Sequence, residues 1–312
     1  MTAAASIPGP GPDGGPGSDR DHGRPTLVVL AGGRARRYGG VKPLAPVGPA
    51  GEAVVDLLAS DALAAGFGTI VLVIGTDSGP AIRYHVERTW PGALDVRIAV
   101  QGSPLGTVDA LLAAADHLPA GGFAVANADD LYGEAPMALL ATYLAGGDPA
   151  SALVGFRLRS SVVGTGPVTR GICRVDGEGY LRSVDERREV TDAGGGRYVA
   201  GDGRQPAELD GDALVSMNLW AFRPPMRAVL QSAMEEARPQ AGADAEVLLP
   251  EVVNEVVSGR RGSPGDRPRF RVLATEGRCV GVTHPADLPL VQADLSGQVG
   301  RGERPATLWP RS

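Results

Sequence analysis

The alternation of short apolar segments with amphipathic segments over residues 26–158 constrains the fold more than any other feature of the sequence. Residues 26–30 form an apolar run that leads into Gly32 and Gly33, which is typical of a buried strand entering a turn. The links between successive segments are short. This pattern predicts a Rossmann-like α/β fold with a mainly parallel sheet and helices on both faces. Ligands of such sheets bind at the carboxyl ends of the strands.

The hydrophobic periodicity assigns most segments to a strand or a helix. Strands are predicted at residues 26–30, 69–74, 96–100, 123–126, 152–158, 213–222 and 270–274, and a hairpin at 171–175 and 180–184. Helices are predicted at residues 53–65, 81–89, 107–117, 137–144, 225–236, 246–257 and 286–295. Residues 198–211 are polar and rich in glycine, so we expect a surface loop there.

Three regions are expected along the chain. Residues 1–24 are rich in Gly and Pro, with Ile7 as their one large apolar side chain. Such a segment buries too little apolar surface to offset the entropy lost on ordering, so we expect a disordered tail. Residues 25–300 are expected to form the folded domain, and residues 301–312 a C-terminal extension.

The composition excludes several classes of function. The chain of 312 residues has a formal net charge of −6 and a pI of about 5.3, which disfavours nucleic-acid binding through a basic surface. No apolar run approaches the roughly 18 residues of a transmembrane helix, and the N-terminus lacks the pattern of a signal peptide. The two cysteines and four scattered histidines form neither a disulfide framework nor a zinc motif. We therefore expect a cytoplasmic protein without membrane or nucleic-acid partners.

The segment after the first strand has the composition of a phosphate-binding loop. Gly32 and Gly33 allow the backbone to approach an anion and to turn its N–H groups toward it. Three arginines between residues 34 and 37, together with Lys42, place four positive charges within nine residues. Such clustering suits a polyphosphate. The P-loop and the dinucleotide-binding fingerprint are both absent, and the alternative interpretation is a solvated basic loop on an ordinary glycine turn.

Two later strand ends carry polar residues that suit ligand binding. Gln101 offers an amide donor and acceptor to a base edge, and Gly106 permits close approach of the backbone. Thr107 is expected to cap the helix that follows, and an ordinary strand-to-helix loop is the alternative. Asp129 and Asp130 follow the fourth strand, where two adjacent carboxylates are costly unless a cation is bound. A pair of helix-capping residues is the alternative for these two.

Together these segments resemble the signature of the nucleoside-diphosphate-sugar pyrophosphorylases and related sugar-1-phosphate nucleotidyltransferases. The matching residues are Gly32, Gly33, Arg37, Lys42, Pro43, Pro46 and Val47. The loop is also similar to that of the molybdenum cofactor guanylyltransferases, and Ala35 stands where many sugar pyrophosphorylases have glycine. The resemblance covers about residues 27–290. It implies a nucleotidyltransferase domain over residues 25–300, with a smaller acceptor-binding lobe.

The resemblance implies a role for each matching residue on the nucleotide side. Arg37 and Lys42 are the expected catalytic residues. Asp129 is the expected ligand of Mg²⁺, and Thr283 stands where the family has Asp or Asn as a second ligand. The residues expected to bind the nucleotide are Leu30, Ala31, Gly32, Gly33, Gln101, Gly106 and Thr107.

On the acceptor side, the resemblance implies that four residues bind the phosphorylated acceptor. Gly171 would contact it through its backbone and Glu186 through its carboxylate. Arg187 stands where the family has Lys, and it would hold the phosphate. Asn218 would complete the set, with Ser216 as the alternative because the register of that strand is ambiguous.

The predicted reaction joins an NTP to a phosphorylated small molecule, in the first place a sugar 1-phosphate, and releases pyrophosphate. The acceptor phosphate attacks the α-phosphorus in line, while the protein positions the reactants and neutralises charge. Three alternatives stay open: a non-catalytic nucleotide-binding or regulatory subunit of the same fold, a transferase for another phosphate or phosphonate acceptor, and a glycosyltransferase of similar topology. The nucleobase, the acceptor and the formation of a homo-oligomer stay open as well.

Overall fold

A computed structural model describes the chain apart from parts of both termini and several internal segments. Of the expected N-terminal tail, residues 1–22 lie outside the described residues. The described residues are 23–33, 40–162, 166–237, 246–263, 265–281 and 288–309.

The described residues form strands and helices that agree closely with the predicted periodicity. The strands are β1 (Thr26–Ala31), β2 (Thr69–Gly75), β3 (Asp95–Gln101), β4 (Phe123–Asn127), β5 (Asp130–Leu131), β6 (Ser151–Arg157), β7 (Val168–Val175), β8 (Leu181–Gly194), β9 (Arg197–Ala200), β10 (Glu208–Asp210), β11 (Leu214–Phe222), β12 (Phe270–Thr275) and β13 (Val280–Gly281). The helices are α1 (Val54–Ala64), α2 (Gly79–Thr89), α3 (Thr107–Ala113), α4 (Glu134–Ala145), α5 (Pro225–Ala237), α6 (Leu249–Val257) and α7 (Leu288–Gly300). None of these helices combines the length and the apolar character that crossing a bilayer requires.

Seven strands form the central part of the sheet, in the order β3-β2-β1-β4-β11-β6-β12. β1 pairs in parallel with β2 and β4, β2 pairs in parallel with β3, and β6 pairs in parallel with β12. β11 runs antiparallel to its neighbours β4 and β6. The predicted mainly parallel sheet is thus confirmed, and the carboxyl ends of β1 to β4 meet at one edge.

The side chains of β1 show why helices cover both faces of this sheet. Leu27 and Val29 belong to the core that packs against α1, α2 and α4. Val28 belongs to the core on the other face, which packs against α3, α5 and α6. All three side chains are fully buried. A strand that is covered on both faces needs apolar residues at every position, which explains the continuous apolar run in the sequence.

β11 divides the sheet into two branches. One of its edges pairs with β6, while the other pairs with β7 at Val215 and Ser216 and with β4 from Trp220 to Phe222. The register of β11 against β6 shifts between Ser216 and Trp220, the stretch where the other edge changes from β7 to β4. The second branch of the sheet continues from β7 through β8, β9 and β10. All the pairings of this branch are antiparallel. It corresponds to the smaller lobe that the family resemblance implies.

One predicted element is wrong in part. Within the expected surface loop at residues 198–211, the structure forms β9 and β10, which pair with each other. Tyr198, Ala200 and Leu209 are buried on these strands. The many polar and glycine residues around them conceal this alternation in the sequence, so the segment has the composition of a loop.

The C-terminal extension packs on α1 through a buried ion pair. Both η nitrogens of Arg304 donate to the carboxylate of Asp61, each at 2.7 Å. Burial raises the pKa of Asp61, and the charge of Arg304 opposes that shift. Beyond this pair, Trp309 packs against Trp90 with ring centroids 6.1 Å apart. Because both charges are removed from water, removing one partner leaves the other buried and uncompensated.

We therefore expect Arg304→Ala to lower the free energy of unfolding by about 3 kcal/mol. Arg301→Ala is the matched control, because Arg301 pairs with Glu303 at the surface, where both side chains are more than half exposed. This control should change the free energy by less than about 1 kcal/mol. Urea denaturation of the three proteins measures both effects. Equal losses in the two variants would show that the buried pair does not anchor the C-terminal extension.

Candidate functional site

Two neighbouring hollows open at the carboxyl ends of β1 to β4. The larger has a volume of about 410 Å³ and extends from the end of β1 toward β3. The smaller, of about 200 Å³, lies between the ends of β1 and β4. Both are lined by Gly33, Lys42 and Pro43, so they form one continuous opening, which we call the β1–β4 cleft. The predicted site residues that line it are Leu30, Ala31, Gly32, Gly33, Lys42, Gln101 and Asp129.

Close packing of three strand ends shapes the floor of this cleft. Gly32 follows β1, while Gly75 and Gln101 end β2 and β3 and lie opposite each other. A Cβ atom on Gly32 would lie 2.6 Å from Oε1 of Gln101. A Cβ atom on Gly75 would lie 3.0 Å from the carbonyl oxygen of Gly32. A side chain at residue 32 would therefore press on the buried amide of Gln101, while the backbone of Gly75 would stay at ordinary contact distance.

Gln101 uses its amide donors within the protein. The side chain is buried, and Nε2 donates to the carbonyl oxygen of Gly106 at 3.1 Å and to the carboxylate of Asp109 at 2.9 Å. Both N–H groups of the amide are thereby engaged, while Oε1 lies against Gly32. Gln101 thus holds the shape of the loop after β3, and its side chain lines the cleft.

The loop after β3 is held by the segment that leads into α6. Gly106 has a φ of 97°, and a Cβ atom there would lie 2.4 Å from the carbonyl oxygen of Val247. Thr107 does not cap α3, so that prediction is wrong: its hydroxyl accepts the N–H of Leu249 at 2.8 Å and α3 has no side-chain cap. Neither Gly106 nor Thr107 lines the β1–β4 cleft. Their observed contacts determine the shape of the loop.

An ion pair joins Lys42 to Asp129 inside the cleft. Nζ of Lys42 lies 2.5 Å from Oδ2 of Asp129, and the two side chains are 18% and 35% exposed. Lys42 is also the only lysine of the whole sequence, since every other side chain of the Lys and Arg class is Arg. A lysine ammonium is a compact point charge, whereas a guanidinium is a planar fork. The single lysine in an arginine-rich chain is a signal that motif matching overlooks.

The two adjacent carboxylates face different openings. Asp129 lines the β1–β4 cleft, whereas Asp130 lines a separate cavity on its other side. Nδ2 of Asn127 donates to Asp130 at 3.0 Å. Burial and the charge of Asp129 raise the pKa of Asp130 to about 7, so this carboxyl carries a proton for part of the time at neutral pH. Within the described ranges, no three His, Cys, Asp or Glu side chains cluster as a metal site.

The separate cavity has a volume of about 460 Å³ and opens between β7 and β11, where the sheet divides. We call it the fork cavity. Gly171, Glu186, Ser216 and Asn218 all line it, so the structure brings together three of the four predicted acceptor residues and the alternative Ser216. A Cβ atom on Gly171 would lie 2.7 Å from Cγ1 of Val184 on β8. This close approach explains the glycine at residue 171.

Arg187, the fourth predicted acceptor residue, is not brought to the cavity. Its side chain is buried, and Nε and Nη2 donate to the carboxylate of Asp202 at 2.8 and 3.0 Å. Nη1 donates to the carbonyl oxygen of Pro206 at 2.8 Å, and Nη2 also donates to that of Arg204 at 2.9 Å. The acceptor role predicted for Arg187 is therefore corrected: its guanidinium holds the segment between β9 and β10.

Two other arginines line the fork cavity instead. Arg170 precedes Gly171 on β7 and donates to the carbonyl and hydroxyl oxygens of Ser161. Arg204 is exposed and donates to the carbonyl oxygen of Glu186 at 2.8 Å. Sequence reasoning missed both, because a charged residue next to a matched glycine and one in a glycine-rich segment have no distinctive spacing.

Asn218 lies at the point where β11 changes partner. Its φ is 58°, a left-handed conformation that asparagine adopts more readily than most residues other than glycine. Its backbone N–H donates to the hydroxyl of Ser216 at 3.3 Å. The register shift between Ser216 and Trp220 is what accommodates this conformation. Arg37 and Thr283, by contrast, lie outside the described residues.

Residues 27–163 match the family of MobA-like NTP transferase domains. This match covers the described residues that line the β1–β4 cleft, together with Asp130. The match covers 137 of the 312 residues, which is less than half of the chain. The family that it matches confirms the expected enzyme class, a nucleotidyltransferase. The match ends at residue 163, so the strands that form most of the fork cavity lie beyond it.

Solved structures of similar fold extend the comparison over most of the chain. HddC from Yersinia pseudotuberculosis aligns with a TM-score of 0.55 at 14% identity, over 86% of this chain and 98% of that one. The same protein complexed with GMP-PN aligns with a TM-score of 0.54 at 15% identity, with the same coverage. The inositol-1-phosphate CTP transferase from T. maritima aligns with a TM-score of 0.59 at 12% identity, over 90% and 98%. At these identities the likeness concerns the fold. No curated protein matches the chain.

We expect Gly106→Ala to lower the free energy of unfolding by about 2 kcal/mol or more. The new Cβ would strain a left-handed residue and press on the backbone of Val247. Gly102→Ala in the same loop is the control, because a Cβ there has no neighbour within 4 Å. The control should be neutral or slightly stabilising. Urea denaturation measures both, and a neutral Gly106→Ala would contradict the packing of the loop against residue 247.

Proposed function

We propose that this chain transfers a nucleotidyl group from an NTP to the phosphate of a small molecule, in the first place a sugar 1-phosphate, and releases pyrophosphate. The observation that carries the proposal is the meeting of two openings at adjacent residues. Asp129 lines the β1–β4 cleft, and Asp130 lines the fork cavity. A nucleotide in the cleft and a phosphorylated acceptor in the cavity would have their phosphates next to each other at this point.

In the proposed reaction, an oxygen of the acceptor phosphate attacks the α-phosphorus of the NTP and forms a new P–O bond. The bond from the α-phosphorus to the bridging oxygen breaks in line with the attack, and that oxygen leaves with pyrophosphate. Both phosphates are ionised, so the step needs no protein base. The chain has to position the two phosphates and to neutralise their charge.

Lys42 is the described side chain best placed for charge neutralisation. Lys42 lines both hollows of the cleft, so its ammonium lies where the two meet. A triphosphate in the cleft would give Lys42 a second anionic partner beside Asp129. Arg37 keeps its predicted role on the β- and γ-phosphates as part of this proposal. The loop from Leu30 to Gly33 would follow the phosphates through its backbone.

Asp129 suits a Mg²⁺ site that the substrates complete. Its carboxylate is a hard oxygen donor that is about a third exposed at the cleft. Mg²⁺ usually binds one or two carboxylates together with substrate phosphates and water, so a single Asp is a sufficient protein ligand. Bound there, the ion would neutralise charge on the reacting phosphates. We propose Asp129 as its ligand, with Lys42 holding the carboxylate in place.

The fork cavity suits a phosphorylated polyol as acceptor. Arg170 and Arg204 supply positive charge, while Glu186, Ser216 and Asn218 supply hydrogen-bonding groups for hydroxyls. The inositol-1-phosphate CTP transferase of similar fold supports a cyclic polyol phosphate as the acceptor class. We place the reaction in the cytoplasm, with the NTP and the phosphorylated acceptor as partners.

The test is pyrophosphate release, measured with each common NTP against hexose 1-phosphates, a heptose 1-phosphate and inositol 1-phosphate, with and without Mg²⁺. One pair should give Mg²⁺-dependent release. Lys42→Ala should lower turnover about 10²–10³-fold, as removal of a positioned electrostatic group does. Arg88→Ala, an exposed change on α2, should leave the rate unchanged. Asp129→Asn should raise the Mg²⁺ concentration needed for half-maximal rate.

Release that persists in Lys42→Ala would contradict the proposed centre of the reaction. NTP binding without pyrophosphate release from any acceptor would favour the non-catalytic subunit. Cleavage or transfer from a nucleotide sugar, without pyrophosphate, would favour the glycosyltransferase.

The single lysine allows a chemical test that does not depend on the acceptor. An amine-acylating reagent has two primary amines to modify in this sequence, Nζ of Lys42 and the N-terminal amino group. We expect Mg²⁺ with the preferred NTP to slow acylation of Lys42 and to leave the N-terminal amine unaffected, as measured by peptide mass spectrometry. The N-terminal amine thus serves as the internal control. Equal rates with and without nucleotide would show that the triphosphate does not occupy the cleft.

A further inference from the structure

Helix α6 connects the loop beside the β1–β4 cleft to the fork cavity. Before the helix, the N–H of Val247 donates to the carbonyl oxygen of Leu105 at 2.9 Å, and the carbonyl oxygen of Val247 accepts the N–H of Val108 at 3.0 Å. At its first residue, Leu249 donates to the hydroxyl of Thr107. The start of α6 is therefore fixed to the loop that follows β3.

The body of α6 forms one wall of the fork cavity. Leu249, Val253 and Val256 are buried in the core. Glu251 and Asn254 are three residues apart, so they share a face of the helix, and both line the cavity. Because α6 is fixed to the loop beside the β1–β4 cleft and also lines the fork cavity, a side chain on this face is held in a fixed position relative to both openings.

The amide of Asn254 has one defined orientation. Its Oδ1 accepts the backbone N–H of Val184 at 3.1 Å. A backbone N–H can only donate, so the amide must present its oxygen to β8 and its Nδ2 on the other side. In the part of the chain that the structure describes, Nδ2 makes no hydrogen bond. The side chain is partly buried and lines the fork cavity, so its donors are available to a molecule bound there.

The charges around Asn254 suit an uncharged donor. Asp185 and Glu186 line the cavity close to the bonded Val184, and Glu251 lines it from the helix itself. Asp185 is paired with Arg174 at 2.8 Å. An acceptor hydroxyl or phosphate oxygen in this region needs a hydrogen-bond donor among these carboxylates, and Nδ2 of Asn254 is such a donor.

We propose that Asn254 is an acceptor-binding residue, which donates through Nδ2 to an oxygen of the phosphorylated acceptor. This inference rests on the proposed function, because it assumes that the acceptor occupies the fork cavity. The anchoring of α6 to the loop after β3 then fixes the donor relative to the nucleotide. The competing explanation is that Asn254 only ties α6 to β8 through Val184.

Asn254→Asp separates these two roles. Aspartate retains an oxygen that accepts the N–H of Val184, so the tie between α6 and β8 survives. It replaces the donating nitrogen with a second oxygen, so the contact with an acceptor oxygen becomes repulsive. Ser258→Asp adds the same charge at an exposed position at the end of α6, outside the cavity, and serves as the matched control.

The experiment measures pyrophosphate release against acceptor and NTP concentration for the three proteins, with the pair that the panel identifies, together with their melting temperatures. In Asn254→Asp we expect the KM for the acceptor to rise about tenfold or more, with the KM for the NTP changed less than about twofold. The melting temperature should stay within about 4 °C of the original, the shift of a roughly 1–2 kcal/mol change in a large domain.

An unchanged acceptor KM in Asn254→Asp would overturn this inference and leave the proposed function in place. The same increase in Ser258→Asp would also overturn it, because a general charge effect would then suffice. If the original protein binds the NTP and releases no pyrophosphate with any acceptor of the panel, the proposed function fails, and this inference fails with it. The activity of the original protein thus distinguishes the two failures.

Discussion

The relation between the two openings depends on the way β11 satisfies its backbone hydrogen bonds. One edge of this strand pairs with β6, while its other edge serves two partners, β7 and β4, that diverge from each other. The residues between them leave both ladders, and buried backbone groups there need other partners. The carbonyl oxygen of Met217 accepts the hydroxyl of Tyr132, which in turn accepts the N–H of Asn127. The turn that carries Asp129 and Asp130 is thereby fixed to the fork of the sheet.

The positive charges of the chain fall into two groups with different tasks. Arg187 and Arg304 are buried in bidentate pairs with Asp202 and Asp61, so their charge is used within the fold. Asp202 in turn has its pKa held well below the ordinary value by Arg187. Lys42 and the arginines of the fork cavity are left at the openings, where a phosphate could reach them. Buried pairs of this kind are not exchanged for a ligand, because separating them leaves a desolvated charge.

The cleft and the cavity are connected through rigid contacts. Gln101 donates to Gly106 in the loop after β3 and to Asp109 on α3, and that loop is held by the segment leading into α6. The same helix lines the fork cavity and accepts a hydrogen bond from β8 through Asn254. Helix α6 therefore has fixed contacts with the loop beside the cleft and with the wall of the cavity. Because glycine has no Cβ atom, Gly106 can approach the backbone of Val247 and Gly171 can approach the side chain of Val184.

The amino-acid sequence by itself determined the strand and helix order, the parallel sheet, and the strand ends at which polar residues gather, because each of these follows from local periodicity. It also predicted Lys42, Gln101 and Asp129 as site residues, from the basic cluster after β1, the polar groups at strand ends and the family resemblance, and the structure places all three at the β1–β4 cleft. Only the tertiary structure decided that Arg187 is buried, that Asp129 and Asp130 face different openings, that β9 and β10 are strands, and that Asn254 reaches the fork cavity. These features depend on contacts between residues that lie from 15 to 85 positions apart in the sequence. Charge, spacing and composition along the chain contain no information on which distant groups will meet.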